Sequence, residues 1–145
     1  MGRTAKVRDG DRTESTRFIL IVDDDVEAGT AMARILEAVG YNVVCAAGSQ
    51  AARTMISACP IALIITDVFM PGMSGLALID FIRQRRLGIP IVVKADARWR
   101  GALDLGALVR YLGGRSVLPA ALSRPALLKT VTDALSGNRA AALAA

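Results

Sequence analysis

Three aspartates stand where two short apolar runs of the sequence end. Asp23 and Asp24 follow the run FILIV, and Asp67 follows the run IALIIT. If these runs form neighbouring strands of a parallel sheet, the three carboxylates meet at its carboxyl edge, which is where such sheets bind ligands. Like charges about 5 Å apart repel by roughly 3 kcal/mol per pair at an effective dielectric near 20, so such a cluster requires a cation.

Oxygen ligands select a hard cation. Mg²⁺ fits this set best, because it binds through one or two carboxylates and recruits phosphate oxygens to its remaining positions. A carboxylate beside such an ion is placed to attack a phosphorus centre. The adjacent Asp25 has a simpler interpretation, since an aspartate that precedes a helical segment commonly serves as its N-cap. The pattern therefore predicts a magnesium and phosphoryl site formed by Asp23, Asp24 and Asp67.

The elements that would position these aspartates alternate along the chain. Apolar runs alternate with segments of helical periodicity, which is typical of a parallel sheet covered by helices on both faces. The predicted fold class is therefore α/β, with a doubly wound five-stranded parallel sheet. Its predicted strands are Phe18–Val22, Asn42–Cys45, Ile61–Thr66, Ile91–Val93 and Ser116–Leu118.

Apolar spacing and helix-ending residues predict the helices. Helix one is expected to end before Gly40, helix two to span Ser49 to Ala58, and helix three to follow Ser74. Helix four is placed within residues 96–115, and the last helix is expected to run from about Pro125 to Gly137. The inward-facing residues predicted for helix one are Ala28, Met32, Ile35, Leu36 and Val39, and those of the last helix are Leu128, Val131 and Leu135.

Composition is that of one globular domain, because 53% of the 145 residues are hydrophobic. We predict a flexible N-terminal extension at residues 1–17, a domain at 18–136 and a C-terminal tail at 137–145. The first residues lack the apolar segment of a secretory signal, and no apolar run approaches the roughly 20 residues of a membrane-spanning helix, which predicts a cytoplasmic protein. Cys45 and Cys59 stand at no metal-ligand spacing and are predicted to be buried small apolar residues.

The net charge of +5 is concentrated in the second half of the chain. Aromatic residues are few, and no helix-turn-helix or RNA-binding signature accompanies the basic residues. A solvated or protein-docking surface is therefore predicted, rather than one that binds nucleic acid. The basic residues concerned include Arg98, Arg100, Arg110 and Arg115.

The segments ILIVDDD and DVFMPGMSG together resemble the bacterial CheY-like response-regulator receiver domain, whose hallmark is an acidic pair followed later by an acceptor aspartate with MPxMxG. The resemblance covers about Phe18 to Leu135 and implies a (βα)5 flavodoxin-like fold. It implies that Asp67 is the phosphoacceptor of a two-component phosphorelay. It also implies that Asp23, Asp24, Asp67 and the backbone carbonyl of Phe69 bind Mg²⁺.

The resemblance further implies a signalling protein rather than an enzyme. A histidine kinase or phosphotransfer protein would phosphorylate it. A downstream effector or a second copy, forming a homodimer, would bind the face made by helix four, strand five and helix five. No membrane contact is implied.

Two residues expected of the resemblance have no counterpart. Receivers carry Ser or Thr at the end of strand four, where Ala95 falls at the switch position, and Lys at the end of strand five, where none occurs. Lys94 ends strand four, and with a one-residue shift its ammonium would contact the phosphoryl group. Alternatively, Lys94 reaches solvent along its flexible stem.

Two other functions compete with the phosphoacceptor hypothesis. The missing switch residues favour a divergent receiver that binds proteins independently of phosphorylation. Asp23, Asp25 and Val26 also satisfy the DxDx[TV] pattern of haloacid-dehalogenase-type phosphotransferases, with Lys94 as the lysine of that site. Such enzymes need a later acidic pair for magnesium, and only scattered aspartates follow Lys94.

Overall fold

The computed structural model describes residues 17–67, 75–85, 87–95, 107, 110, 116–118 and 123–144, the last seven of these by their backbone alone. Most of the predicted N-terminal extension and of helix four, as well as Phe69, therefore lies outside the described residues. The strands are β1 Phe18–Val22, β2 Asn42–Ala46, β3 Ile61–Asp67, β4 Ile91–Lys94 and β5 Ser116–Leu118. The helices with defined bounds are α1 Val26–Ala38, α2 Ser49–Ala58, α3 Gly75–Gln84 and α4 Arg124–Ala144, and Ala107 and Arg110 are also helical.

The five strands form one parallel sheet in the order β2-β1-β3-β4-β5. The strand positions predicted from the apolar runs are confirmed to within one residue. β1 and β3 lie inside the sheet and are almost wholly buried. β2 lies at the edge, and all of its residues except Ala46 are at least partly exposed. Strands covered on both faces need continuous apolar sequences, and FILIV and IALIIT supply them.

Helices cover both faces of the sheet, which confirms the predicted doubly wound α/β fold. On one face, α2 and α3 pack against Leu20, Ile64 and Val93. On the opposite face, α1 and α4 pack against Ile21 and the other strand side chains of that face. The two apolar layers fix the positions of the strand ends, and with them the positions of the polar residues that follow.

The end of the first helix confirms the prediction, whereas the end of the last helix differs from it. Gly40 has φ +100 directly after α1, as a C-terminal cap requires. Val39, predicted to face inward, is 48% exposed, because it lies at the C-cap of α1 and beyond its buried face. The prediction that Gly137 ends the last helix is also wrong, since α4 continues to Ala144. The Ala-rich segment after Gly137 has high helix propensity, which outweighs the roughly 1 kcal/mol penalty of one glycine.

The prediction that both cysteines are buried is wrong. Cys45 is exposed and Cys59 is half-buried. Cys45 lies in the edge strand β2, and its Sγ is 4.0 Å from the carbonyl oxygen of Gly29 in α1. Side chains of an edge strand are covered less than those of the inner strands, which leaves the thiol accessible. Within the described residues, no helix is both long and apolar enough to cross a membrane.

Candidate functional site

The three aspartates meet at the carboxyl edge of the sheet. Val22 of β1 pairs with Thr66 of β3, so the next residues along the chain, Asp23 and Asp67, lie side by side. Carboxylate oxygens of Asp23, Asp24 and Asp67 lie within 4.8 Å of one another, and Asp23 and Asp67 are buried while Asp24 is exposed. The predicted convergence of the three carboxylates is confirmed.

Asp23 is held in place through both its backbone and its carboxylate. Its N–H donates to the carbonyl oxygen of Ala46 at 3.0 Å, which continues the pairing of β1 with β2. Its Oδ1 accepts a hydrogen bond from the N–H of Asp25 at 2.9 Å, and its Oδ2 accepts one from Lys94 Nζ at 3.0 Å. Because both oxygens are engaged, the carboxylate of Asp23 has a fixed orientation towards the centre of the cluster.

Asp25 has a separate structural role. Its Oδ1 accepts hydrogen bonds from the N–H groups of Glu27 and Ala28 at 3.1 and 3.2 Å, so it caps α1 as predicted. A side chain engaged in this way is directed at the helix N-terminus rather than at the carboxylate cluster. The structure therefore separates Asp25 from Asp23 and Asp24.

Lys94 brings a positive charge into the cluster from β4. It is the direct neighbour of Asp67 in the pairing of β3 with β4. Its Nζ lies 3.0 Å from Asp23 Oδ2 and 3.5 Å from Asp67 Oδ1, and its side chain is only 19% exposed. The alternative that Lys94 reaches solvent along its stem is therefore wrong.

The cluster changes the proton affinities of its members. Burial raises the pKa of Asp67, and the neighbouring Asp23 carboxylate raises it further, to about 7, although Lys94 acts in the opposite direction. Burial lowers the pKa of Lys94, but its hydrogen bond to Asp23 and the charge of Asp67 more than offset this and raise the pKa above 10.5. Lys94 is therefore a full ammonium at neutral pH, whereas Asp67 is incompletely ionised in the absence of a further cation.

This donor set fits Mg²⁺. All three acidic residues offer oxygen atoms, which hard cations prefer, and two of them are buried at a sheet edge where unneutralised charge is costly. The ammonium of Lys94 supplies one positive charge to a cluster of three carboxylates. A divalent cation bound by these carboxylates would supply the missing positive charge.

Cys45 lies beside the carboxylate cluster, a position that was not predicted from the sequence. Together with Asp23 and Gly29 it lines a cavity of about 140 Å³ between the end of β2 and the start of α1. The residue is exposed as a whole, but its sulfur is partly desolvated against α1, and this, followed by the charges of Glu37 and Asp23, raises the pKa of the Cys45 thiol above its ordinary value. A sequence signal was available, because Cys45 occupies the carboxyl end of a strand adjacent to the one that ends at Asp23.

The family profile described as Response regulator receiver domain matches residues 19–107 of this chain. That range is more than half of the chain and contains all three aspartates as well as Lys94. The chain belongs to the response regulator receiver domain family. Receiver domains are signalling modules of two-component systems, so the function class predicted from the acidic motifs is confirmed.

Relatives and solved structures agree with this assignment. One relative, the putative response regulator NtrX-like of Rickettsia bellii, is 31% identical over 77 residues, which are 52% of this chain and 16% of that protein. The structure of a response regulator receiver protein from Pseudomonas putida is 30% identical with a TM-score of 0.70, covering 81% of this chain and 96% of that one. The CheY-like receiver domain from Methanospirillum hungatei has a TM-score of 0.74 at 24% identity, covering 85% of this chain and 96% of that one, and shows the shared fold.

The chain spans only 16–33% of the length of the curated relatives it matches. These relatives include transcriptional regulators and the response regulator protein FleR of Pseudomonas aeruginosa. The similarity therefore concerns only part of each of these relatives.

Two positions of this receiver depart from the pattern expected for its family. The N–H of Ala95 donates to the carbonyl oxygen of Leu118 at 2.7 Å, and the Ala95 side chain packs against the apolar layer under α2 and α3. Leu118, the last residue of β5, is buried in the opposite apolar layer. Among the described residues, Lys94 is therefore the β4 or β5 side chain that contacts the acidic cluster.

Proposed function

We propose that this receiver accepts a phosphoryl group on Asp67. The observation that carries the proposal is the position of the Asp67 carboxylate, at the carboxyl end of β3 and within 4.8 Å of the oxygens of Asp23 and Asp24. The Asp67 side chain is buried, the carboxylates of Asp23 and Asp24 next to it can bind a cation, and the Lys94 ammonium lies beside it. Each of these features suits the transfer of a doubly negative group.

The proposed reaction transfers the phosphoryl group from a phosphohistidine of a histidine kinase or phosphotransfer protein. An oxygen of Asp67 forms a bond to phosphorus while the nitrogen–phosphorus bond breaks, and the bonding electrons return to the imidazole nitrogen of the donor. Asp67 must be ionised to attack, and Lys94 favours its ionised form. Preorganised positive charge next to the transferred group stabilises the charge that develops on its oxygens.

Asp23, Asp24, Asp67 and the backbone carbonyl of Phe69 are the proposed Mg²⁺ ligands. When bound, Mg²⁺ neutralises negative charge on the carboxylates and on the phosphoryl oxygens. Asp23 and Asp67 would contribute from buried positions, and Asp24 from the exposed rim. Phe69 and the following residues 70–74 lie outside the described residues, so their part of the proposal depends on the family pattern.

The proposed partners follow from the same function. The phosphorylated receiver would bind a downstream effector, or a second copy of itself, through the face made by the helix predicted within residues 96–115, strand β5 and the last helix, α4. Arg110 in that region is exposed, which suits an acidic partner. We propose a cytoplasmic location, with residues 18–136 as the receiver unit between flanking segments 1–17 and 137–145.

A second candidate function is a receiver that binds proteins without being phosphorylated. It is favoured by Ala95 and Leu118, which stand where receivers carry a hydroxyl group and a lysine. The dehalogenase-type alternative is disfavoured, because Asp25 caps α1 and the chain belongs to the receiver family.

Incubation with Mg²⁺ and acetyl phosphate, followed by intact-mass measurement, tests the proposed function. We expect the wild-type chain to gain one phosphoryl group and Asp67→Asn to gain none. Asp80→Asn is a matched control, because Asp80 is partly exposed on α3 and pairs with Arg83 away from the site. Absence of an adduct on the wild-type chain would contradict the proposal and favour the phosphorylation-independent module.

A further inference from the structure

Lys94 contacts the acidic cluster from β4, whereas the receiver pattern places its lysine at the end of strand five. It ends β4, where it pairs with Asp67 on one side and with Leu118 of β5 on the other. Its Nζ bridges Asp23 Oδ2 and Asp67 Oδ1, at 3.0 and 3.5 Å. This bridge joins the carboxylate that follows β1 and the carboxylate that ends β3 through one residue of β4.

We propose that Lys94 supplies from β4 the cationic contact to a phosphoryl group on Asp67, and that in the unmodified receiver its ammonium competes with a divalent cation for Asp23 and Asp67. The proposal rests on the proposed function, because it concerns the phosphoryl group that Asp67 would carry. The Lys94 ammonium would thus affect the affinities of the site for the metal ion and for the phosphoryl group in opposite directions. Lys94 would hinder the binding of the metal ion and favour the binding of the phosphoryl group.

The competition follows from the contacts of Asp23. One of its oxygens is bonded to the N–H of Asp25 and the other to Lys94 Nζ. A divalent cation that approaches Asp23 and Asp67 must share their oxygens with this ammonium or displace it. The two cations also repel each other at short range, which lowers the affinity of the metal ion.

The phosphoryl contact follows from the distance to Asp67. Lys94 Nζ is 3.5 Å from Asp67 Oδ1, so a phosphoryl group attached to the Asp67 carboxylate would place its own oxygens next to this ammonium. A lysine ammonium has three donors on a flexible stem and is able to turn from Asp23 to such an oxygen. Charge-assisted hydrogen bonds of this kind are the strong ones in proteins.

Two titrations of Lys94→Met test the proposal. The first measures Mg²⁺ affinity from backbone amide shifts of the metal-free protein. The second measures the affinity for beryllofluoride, a mimic of the aspartyl phosphate, at saturating Mg²⁺. We expect Mg²⁺ affinity to rise by roughly three-fold or more as the competing charge is removed. We expect beryllofluoride affinity to fall by roughly ten- to a hundred-fold, as one hydrogen bond to a charged group is lost.

Two further variants separate the charge of Lys94 from its packing. Lys94→Arg keeps the positive charge and should retain more beryllofluoride affinity than Lys94→Met. Lys129→Met removes the same charge from α4, where Lys129 is exposed and pairs only with the nearby Asp133 among the described residues. It should change neither affinity.

The outcomes distinguish this proposal from the proposed function. A fall of both affinities in Lys94→Met would indicate a structural role and overturn the proposal, and so would unchanged affinities. If the wild-type chain binds neither beryllofluoride nor a phosphoryl group, the proposed function fails and the phosphoryl contact fails with it. If the wild-type chain binds beryllofluoride and Lys94→Met binds it equally well, only the role of Lys94 is overturned.

Discussion

Asp67 and Lys94 face each other across strands β3 and β4, with Lys94 Nζ 3.5 Å from Asp67 Oδ1. The same ammonium is 3.0 Å from Asp23 Oδ2, so the acid that follows β1 and the acid that ends β3 share one ammonium. Sharing partly relieves the repulsion between buried carboxylates. The stability of the metal-free receiver should therefore depend on Lys94.

Lys94→Met should destabilise the receiver when no metal is present. Removing one partner of a largely buried ion pair leaves uncompensated charge, and we expect a loss of about 2 kcal/mol in the free energy of unfolding, less than for a fully buried pair because Lys94 is partly solvated. Saturating Mg²⁺ should reverse most of the loss, since the metal ion replaces the missing charge. Urea denaturation with EDTA or with Mg²⁺ measures both effects.

Lys129→Met is the control for that experiment. Its exposed pair with Asp133 is of the kind that contributes only about 0.3–0.5 kcal/mol. An equal loss of stability in the two variants would show that Lys94 does not neutralise the cluster.

Asp24→Ala and Asp25→Ala should have different effects on metal binding and on stability. Asp24 contributes to the cluster of carboxylate oxygens, so its loss should weaken Mg²⁺ binding clearly. Asp25 caps α1, so its loss should lower the free energy of unfolding by about 1 kcal/mol and change Mg²⁺ affinity much less. Calorimetric titration and urea denaturation of both variants provide the measurements. Equal losses of Mg²⁺ affinity would contradict the assignment of Asp25 to the helix cap.

The positions of the acidic residues could be predicted from the sequence because strand ends are set by apolar runs. FILIV and IALIIT both end at aspartate, and parallel neighbours place such ends at one edge of the sheet. Asp25 could be assigned to the cap because it directly precedes the apolar spacing of α1. These inferences depend only on local pattern and on the fold class.

The contacts of Lys94 could not be predicted in the same way. Whether its ammonium meets solvent or the acids depends on the register of β4 against β3, which pairs Lys94 with Asp67. A shift of one residue reverses the face on which a strand side chain lies. The exposure of Cys45 similarly depends on β2 being an edge strand, which the apolar neighbours of Cys45 do not reveal.

Asp67→Asn should stabilise the metal-free receiver in a pH-dependent way. The pKa of Asp67 is raised from 3.8 to about 7, so the folded state holds a proton in a range where the unfolded state has released it. Wild-type stability should therefore fall as the pH rises through this window. The advantage of Asp67→Asn should grow over the same range and reach on the order of 1 kcal/mol near pH 8, after allowance for solvent screening.

Thermal or urea unfolding in EDTA at several pH values measures this advantage. Asp80→Asn is the control, because Asp80 is paired with Arg83 at the partly exposed surface of α3. An advantage of Asp67→Asn that is the same at acidic and at alkaline pH would contradict the raised pKa.

Cys45 should report on the charge of the neighbouring site through its reactivity. The thiolate is the reactive form, and burial, Glu37 and Asp23 together raise the pKa of this thiol. In a Cys59→Ser background, iodoacetamide should therefore modify Cys45 slowly near neutral pH although the residue is exposed. Glu37→Gln should accelerate the reaction roughly two-fold by lowering the thiol pKa.

Mg²⁺ should also accelerate this alkylation, because a cation bound at the carboxylates offsets the charge of Asp23. Glu27→Gln is the matched control, since Glu27 is exposed in the first turn of α1 and does not contribute to the shift of the Cys45 pKa. Alkylation rates measured by mass spectrometry with and without Mg²⁺ provide the comparison. Acceleration that persists in Asp24→Ala at the same Mg²⁺ concentration would place the ion away from the cluster, whereas its loss in that variant is the expected result.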